Sequence, residues 1–174
     1  PQTARMLLQA HQESVLSEML VIAAGLSIQD PRDFPTEEKE KARQMHSSFV
    51  SRESDYITLL SIWRTYQARW NELKTENKMR KFCRQHFLSF VRMREWRDIH
   101  HQLSSILKDS GKYPLKSLQA LPVIEARPEE SEDREVPNFR LNRPTKDEPK
   151  SKSIFEAGID YDAIHRALLS GYLN

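Results

Sequence analysis

Residues 15–26 read Val-Leu-Ser-Glu-Met-Leu-Val-Ile-Ala-Ala-Gly-Leu, apolar on almost every side of a helix. A helix without a polar face needs neighbours all round, so this segment predicts the central member of a helical bundle. It is not a membrane span: its most apolar run, Met19 to Leu26, is about a third of the length a bilayer requires. The rest of the chain must supply the neighbours.

Those neighbours are legible as amphipathic stripes. A first helix carries Met6, Leu7 and Ala10, so residues 3–28 form two helices. Asp30-Pro31 and Phe34-Pro35 then interrupt, because a residue before proline resists the helical region. Thr36 is placed to cap a third helix, with Glu37 and Glu38 in its first turn. Ser54 or Asp55 caps a fourth, whose stripe is Tyr56, Leu59, Leu60, Trp63, Tyr66 and Trp70. Met79, Phe82, Cys83, His86, Phe87, Phe90 and Val91 define a fifth helix at spacings of three and four. A sixth holds Met93, Trp96, Ile99, His100, Leu103, Ile106 and Leu107, and Gly111 is its stop. With four glycines in 174 residues there is little turn punctuation for strands. The fold class is therefore all-α, a bundle of about six to seven helices.

Beyond residue 111 the character changes. Six of the nine prolines lie between Pro114 and Pro149, and Glu125–Glu135 carries six acids against two arginines. Such a stretch buries too little apolar surface to offset its ordering entropy. The expected organisation is a bundle over 1–111, an irregular, extended or partly disordered, acidic and Pro-rich connection over 112–158, and a last helix over 159–174. That helix carries Tyr161, Ile164, Leu168, Leu169 and Leu173, capped by Asp160 or Asp162. The chain opens on Pro1 rather than Met, which reads as a piece of a longer protein.

Catalytic signatures are missing from the sequence. There is no GxxxxGK[ST] loop to wrap phosphates, no DEAH string, no GxSxG elbow and no GxGxxG fingerprint. One cysteine, Cys83, makes neither a disulfide nor a thiolate site, and it suits a reducing, cytoplasmic setting. The six histidines give no metal set: His100 and His101 are adjacent and point about 100° apart on a helix. They read as solvated or core-edge side chains, and Trp63, Trp70 and Trp96, at helical spacing among aliphatics, read as core. No catalytic residue, metal or cofactor is assigned to this chain.

The positive signal is charge. Overall the chain carries only +2, yet Lys78, Arg80, Lys81, Arg84, Arg92, Arg94 and Arg97 meet only Glu95 and Asp98 between residues 78 and 101. A basic stripe of this kind suits a phosphate backbone, where affinity comes from neutralised charge and released counterions. A solvated helix face with structural ion pairs fits the same residues equally well.

Several strings go beyond pattern. Residues 18–32, Glu-Met-Leu-Val-Ile-Ala-Ala-Gly-Leu-Ser-Ile-Gln-Asp-Pro-Arg, followed by Phe34-Pro35, resemble the central helix and loop of the helicase-associated domain of DEAH-box RNA helicases. Ser54-Asp55-Tyr56-Ile57-Thr58-Leu59-Leu60 with Trp63 resembles the next block of that family. Lys81-Phe82-Cys83-Arg84 with Phe87-Leu88-Ser89-Phe90 resembles the one after. Met93-Arg94-Glu95-Trp96-Arg97-Asp98-Ile99-His100 with Gln102-Leu103 resembles the bacterial HrpA-type subgroup. Residues 161–171, from Tyr161 to Gly171, resemble the helix before the family's OB-fold.

The resemblance implies a ratchet-like accessory bundle of an ATP-dependent RNA helicase, one wall of a channel for single-stranded RNA, or DNA. ATP and Mg would belong to RecA-like domains of the longer protein, and winged-helix and OB-fold domains would be further neighbours in the same chain. Lys81, Arg84, Arg92, Arg94 and Arg97 are the family-compatible phosphate contacts, and some of these arginines can instead hold the bundle against the RecA-like domains. Ser54 and Thr58, at the start of the fourth helix, can offer hydroxyls or an N-terminal amide site. An alternative stays open: a helical protein-interaction module without a nucleic-acid role, whose acidic segment Pro128–Pro149 docks a basic partner.

Overall fold

The computed structural model describes residues 2–51, 54–116, 118 and 159–173. These residues form seven α-helices: α1 (Gln2–Gln12), α2 (Leu16–Leu26), α3 (Lys39–Ser47), α4 (Asp55–Leu73), α5 (Glu76–Gln85), α6 (Phe90–Asp109) and α7 (Tyr161–Tyr172). No strand occurs among them, only an isolated antiparallel bridge between Arg32 and Leu88. The irregular connection expected over 112–158 lies, except for residues 112–116 and 118, outside the described residues.

The apolar segment is the centre, as its sequence requires. Leu16, Met19, Leu20, Val21, Ile22, Ala23 and Ala24 are buried, and α2 packs against α1, α4, α6 and α7. Gly25 marks the tightest approach. A Cβ there would lie 2.7 Å from Cζ2 of Trp96, so the missing side chain is what lets α6 seat its indole on α2. The indole Nε1 then donates to Val21 O at 2.9 Å, which satisfies the one polar atom of a wholly buried ring. Gly171 does the same for Met6, letting α7 lie close on α1.

Four local expectations change. Thr36 does not cap α3. Pro35 holds an extended backbone (φ −56°, ψ 136°), so Thr36–Glu38 enters as a 3-10 turn that leads into α3 without a side-chain cap. The stripe from Met79 to Val91 is not one helix. α5 stops at Gln85, Phe87 takes φ +51°, and α6 starts at Phe90, leaving Val91 64% exposed. The cause is long-range: Asp33 N donates to Phe87 O at 2.8 Å, Ser89 N donates to Pro31 O at 2.8 Å, and His46 Nε2 lies 2.8 Å from Phe87 O. Since a carbonyl only accepts, His46 donates from Nε2 there, and it is a fully buried histidine rather than a core-edge one. In α7, Asp160 is the cap, accepting from Ala163 N at 3.0 Å. Leu169 and Leu173 face outward, while Ala163, Ile164, Ala167 and Leu168 enter the core.

Candidate nucleic-acid interface

α5 buries Met79, Phe82 and Cys83 on one side, so Lys78, Lys81 and Arg84 fall on the other and are exposed. None of the three has an ion-pair partner among the described residues. Arg80, between them, reaches Glu76 at 3.8 Å and lies 4.8 Å over the Phe90 ring. Arg84 sits in the last turn of α5, where a cation offsets the negative helix end. It also lines a groove of about 780 Å³ with Asp33, Glu38, Lys41, Arg69 and His86. Burial pushes the Cys83 thiol up to about 12, so that sulfur is a core atom and not a nucleophile.

α6 sorts its arginines into different roles. Arg92 folds back onto the 29–33 loop: it donates to Asp30 O at 2.8 Å, to Gln29 Oε1 at 3.1 Å and to Asp33 Oδ1 at 3.4 Å. It is a clamp between α6 and the loop that breaks the α5 stripe. Arg97 lays its guanidinium 4.5 Å over the Trp70 ring, with its side chain 28% exposed and Asp98 at 3.7 Å. Arg94 is exposed and makes no ion pair among the described residues.

Ser54 and Thr58 are buried, Thr58 to 1% exposure. Thr58 Oγ1 accepts from Ser51 N at 3.0 Å and donates to Ser54 O at 3.3 Å. The Ser54 hydroxyl lies 3.1 Å from His165 Nε2. His165 Nδ1 sits 2.8 Å from Tyr161 O and must donate there, so in a neutral ring Nε2 accepts the serine proton. Both hydroxyls therefore tie the start of α4 to its own turn and to α7. The tryptophans are likewise structural: Trp63 and Trp96 are buried with ring centroids 5.2 Å apart, and Trp70 is covered by Arg97.

Sequence reading missed the loop that does the sorting. Arg32 binds Asp30 at 2.6 Å and Asp55 at 3.2 Å, which joins the loop to the start of α4. Its guanidinium is held further in the charged form chiefly by the Asp30 carboxylate. The signal available was the pair Asp30-Pro31 and Phe34-Pro35, which marks a rigid loop but not what it grips. Among the described residues there is no cluster of three side chains able to hold a metal, and no helix long and apolar enough to cross a membrane.

Comparison with known proteins adds a family and a context. The model of the helicase associated domain (HA2), ratchet-like, matches residues 1–89, just over half of the 174. An ATP-dependent RNA helicase HrpA homolog of Haemophilus influenzae is 35% identical over 120 residues, 69% of this chain and 9% of that protein. ATP-dependent RNA helicase HrpA of Escherichia coli is 34% identical over 111 residues, 64% of this chain and 8% of its own length. A probable ATP-dependent RNA helicase, DHX35 of Homo sapiens, is 30% identical over 127 residues, 73% and 17% of the two chains. The chain thus spans less than a tenth of the two HrpA relatives.

Proposed function

Since this chain belongs to the ratchet-like helicase-associated (HA2) domain family, we propose that it forms one wall of the single-stranded RNA path in an HrpA-type helicase. In that setting ATP and Mg belong to RecA-like domains of the longer protein, and this bundle performs no bond-breaking step. Its task is to hold the strand between power strokes through phosphate contacts that do not read bases.

The observation that carries this reading is the division of the basic residues. Arg92 and Arg97 are engaged inside the fold, whereas Lys81, Arg84 and Arg94 are exposed cations without ion-pair partners among the described residues. Unpaired surface cations on two consecutive helices are what a phosphate backbone uses. Exposed Val91 and Ile106 on the same helix α6 favour a second contact, an apolar one against a neighbouring domain. That is the form in which the protein-interaction reading remains in play.

The test is binding of labelled single-stranded RNA at several salt concentrations, comparing wild type with the triple variant Lys81→Ala/Arg84→Ala/Arg94→Ala. Three lost contacts on a single strand lower the slope of log K against log salt by about 2. An Arg92→Ala protein serves as the control and keeps the wild-type slope. Equal slopes for wild type and triple variant would sink the assignment and leave the surface to a protein partner.

A further inference from the structure

A second basic site lies on a different part of the bundle and shares no residue with the edge just described. Between α2, α4 and α6 is a recess of about 480 Å³ whose wall includes Trp63, Arg64, His100, Ser104, Lys108 and Lys116. Arg64 is only 6% exposed. Among the described residues its Nε has no hydrogen-bond partner, nor has the Oγ of Ser104 in the same lining, and Arg64 forms no ion pair. Glu18 acts on it only through space. A buried donor such as Nε costs ~1–3 kcal/mol when left unmade, and buried polar groups of folded proteins are almost always satisfied.

We propose that this recess is an anion site for inorganic phosphate or a phosphate monoester, with Arg64 as its deep cation and Lys108 and Lys116 at its mouth. Among the described residues the lining holds three cations and no carboxylate. A doubly charged, tetrahedral group with several acceptor oxygens matches that donor set better than a singly charged carboxylate does. Gln67 and Asn71 line the same recess and add neutral donors. Trp63 supplies an apolar wall for whatever carries the phosphate. A terminal phosphate, with a sugar on one side only, enters such a recess more readily than an internal phosphodiester flanked on both.

Calorimetric titration of the 174-residue chain with inorganic phosphate at constant ionic strength is the direct test, with chloride and acetate as comparison anions. Saturable binding of phosphate is expected, about tenfold or more weaker in Arg64→Gln, the loss that follows removal of one charged hydrogen-bond donor. Lys108→Ala/Lys116→Ala, altered only at the mouth, and Ser104→Ala each weaken it several-fold and carry the test if Arg64→Gln does not fold. A 5′-phosphorylated RNA oligonucleotide that competes with phosphate, where the 5′-hydroxyl form does not, identifies an RNA end as the source. Competition by neither identifies a free small phosphate. Phosphate bound no better than chloride or acetate, or bound equally by wild type and the folded variants, overturns the site.

Discussion

Trp96 lies across the backbone of Gly25, with Cζ2 at 2.7 Å and Cε2 at 2.9 Å from the point where a Cβ would stand. The contact is rigid on both sides. The ring is wholly buried and hydrogen-bonded to Val21 O, and the glycine belongs to the central helix. Gly25→Ala therefore has no flexible side-chain tip to push aside. We expect a loss of ~1–3 kcal/mol, the usual cost of overpacking a filled core. A denaturant titration reads it directly, and an unchanged midpoint would show that α6 slides without cost.

Arg92→Ala separates architecture from binding. The side chain makes three hydrogen bonds to the 29–33 loop but remains one-third exposed, so the loss should be modest, ~1 kcal/mol. Amide exchange at Asp33 and Ser89, whose N–H groups bond across the Phe87 corner, should speed up. If exchange there is unaltered while RNA binding falls, Arg92 acts on the strand and not on the loop.

Burial pushes Cys83 up to about 12. At pH 8 the thiol is then almost entirely protonated and also shielded. Its reaction with a thiol reagent should follow the opening of the fold, becoming rapid only in denaturant. Prompt stoichiometric labelling in native buffer would contradict the packing of α5 described above.

Burial, with smaller contributions from His101 and Lys108, drives His100 down to about 4. An unfolded histidine titrates near 6.5. The unfolded chain therefore takes up a proton first as pH falls, and the folded state loses stability between about 6.5 and 4. The ring is only partly buried, so after solvent screening the loss is ~1–2 kcal/mol. His86 shifts in the same direction, also by burial, and adds to the slope. A His100→Gln protein should show a shallower decline over that window. A decline as steep as the wild type's would remove His100 from the account.

Helix identity is legible in this sequence because apolar spacing reports it locally. Leu16 through Ala24 required a central position and took one. What is not legible is where a helix yields to a distant partner. The period through Phe87 and Phe90 favours continuation, yet the bonds from Asp33 and His46 to Phe87 O come from residues more than forty positions earlier. The basic residues show the same limit. Arg92 and Arg94 are identical in type and two positions apart, and only the loop at 29–33 decides that one is held and the other is not. Arg64 and its recess left no pattern in the sequence, since an arginine among the apolar residues of α4 reads as an ordinary interruption of a stripe.

The pairing of α1 with α7 has a kinetic consequence. Arg5 Nη1 donates to Leu173 O at 2.8 Å, and Arg166 grips Glu13 at 2.7 Å, so two helices far apart in sequence close on each other. Contacts this far apart in sequence form late, because the closure entropy must be met before they return anything. On a ribosome, α1 must wait until residues 161–172 have emerged before α7 can cover it. The bundle should therefore mature in two stages, a slow final docking following rapid assembly of α2 through α6. Nascent chains short of residue 161 should present the bare flank of α1 to chaperones.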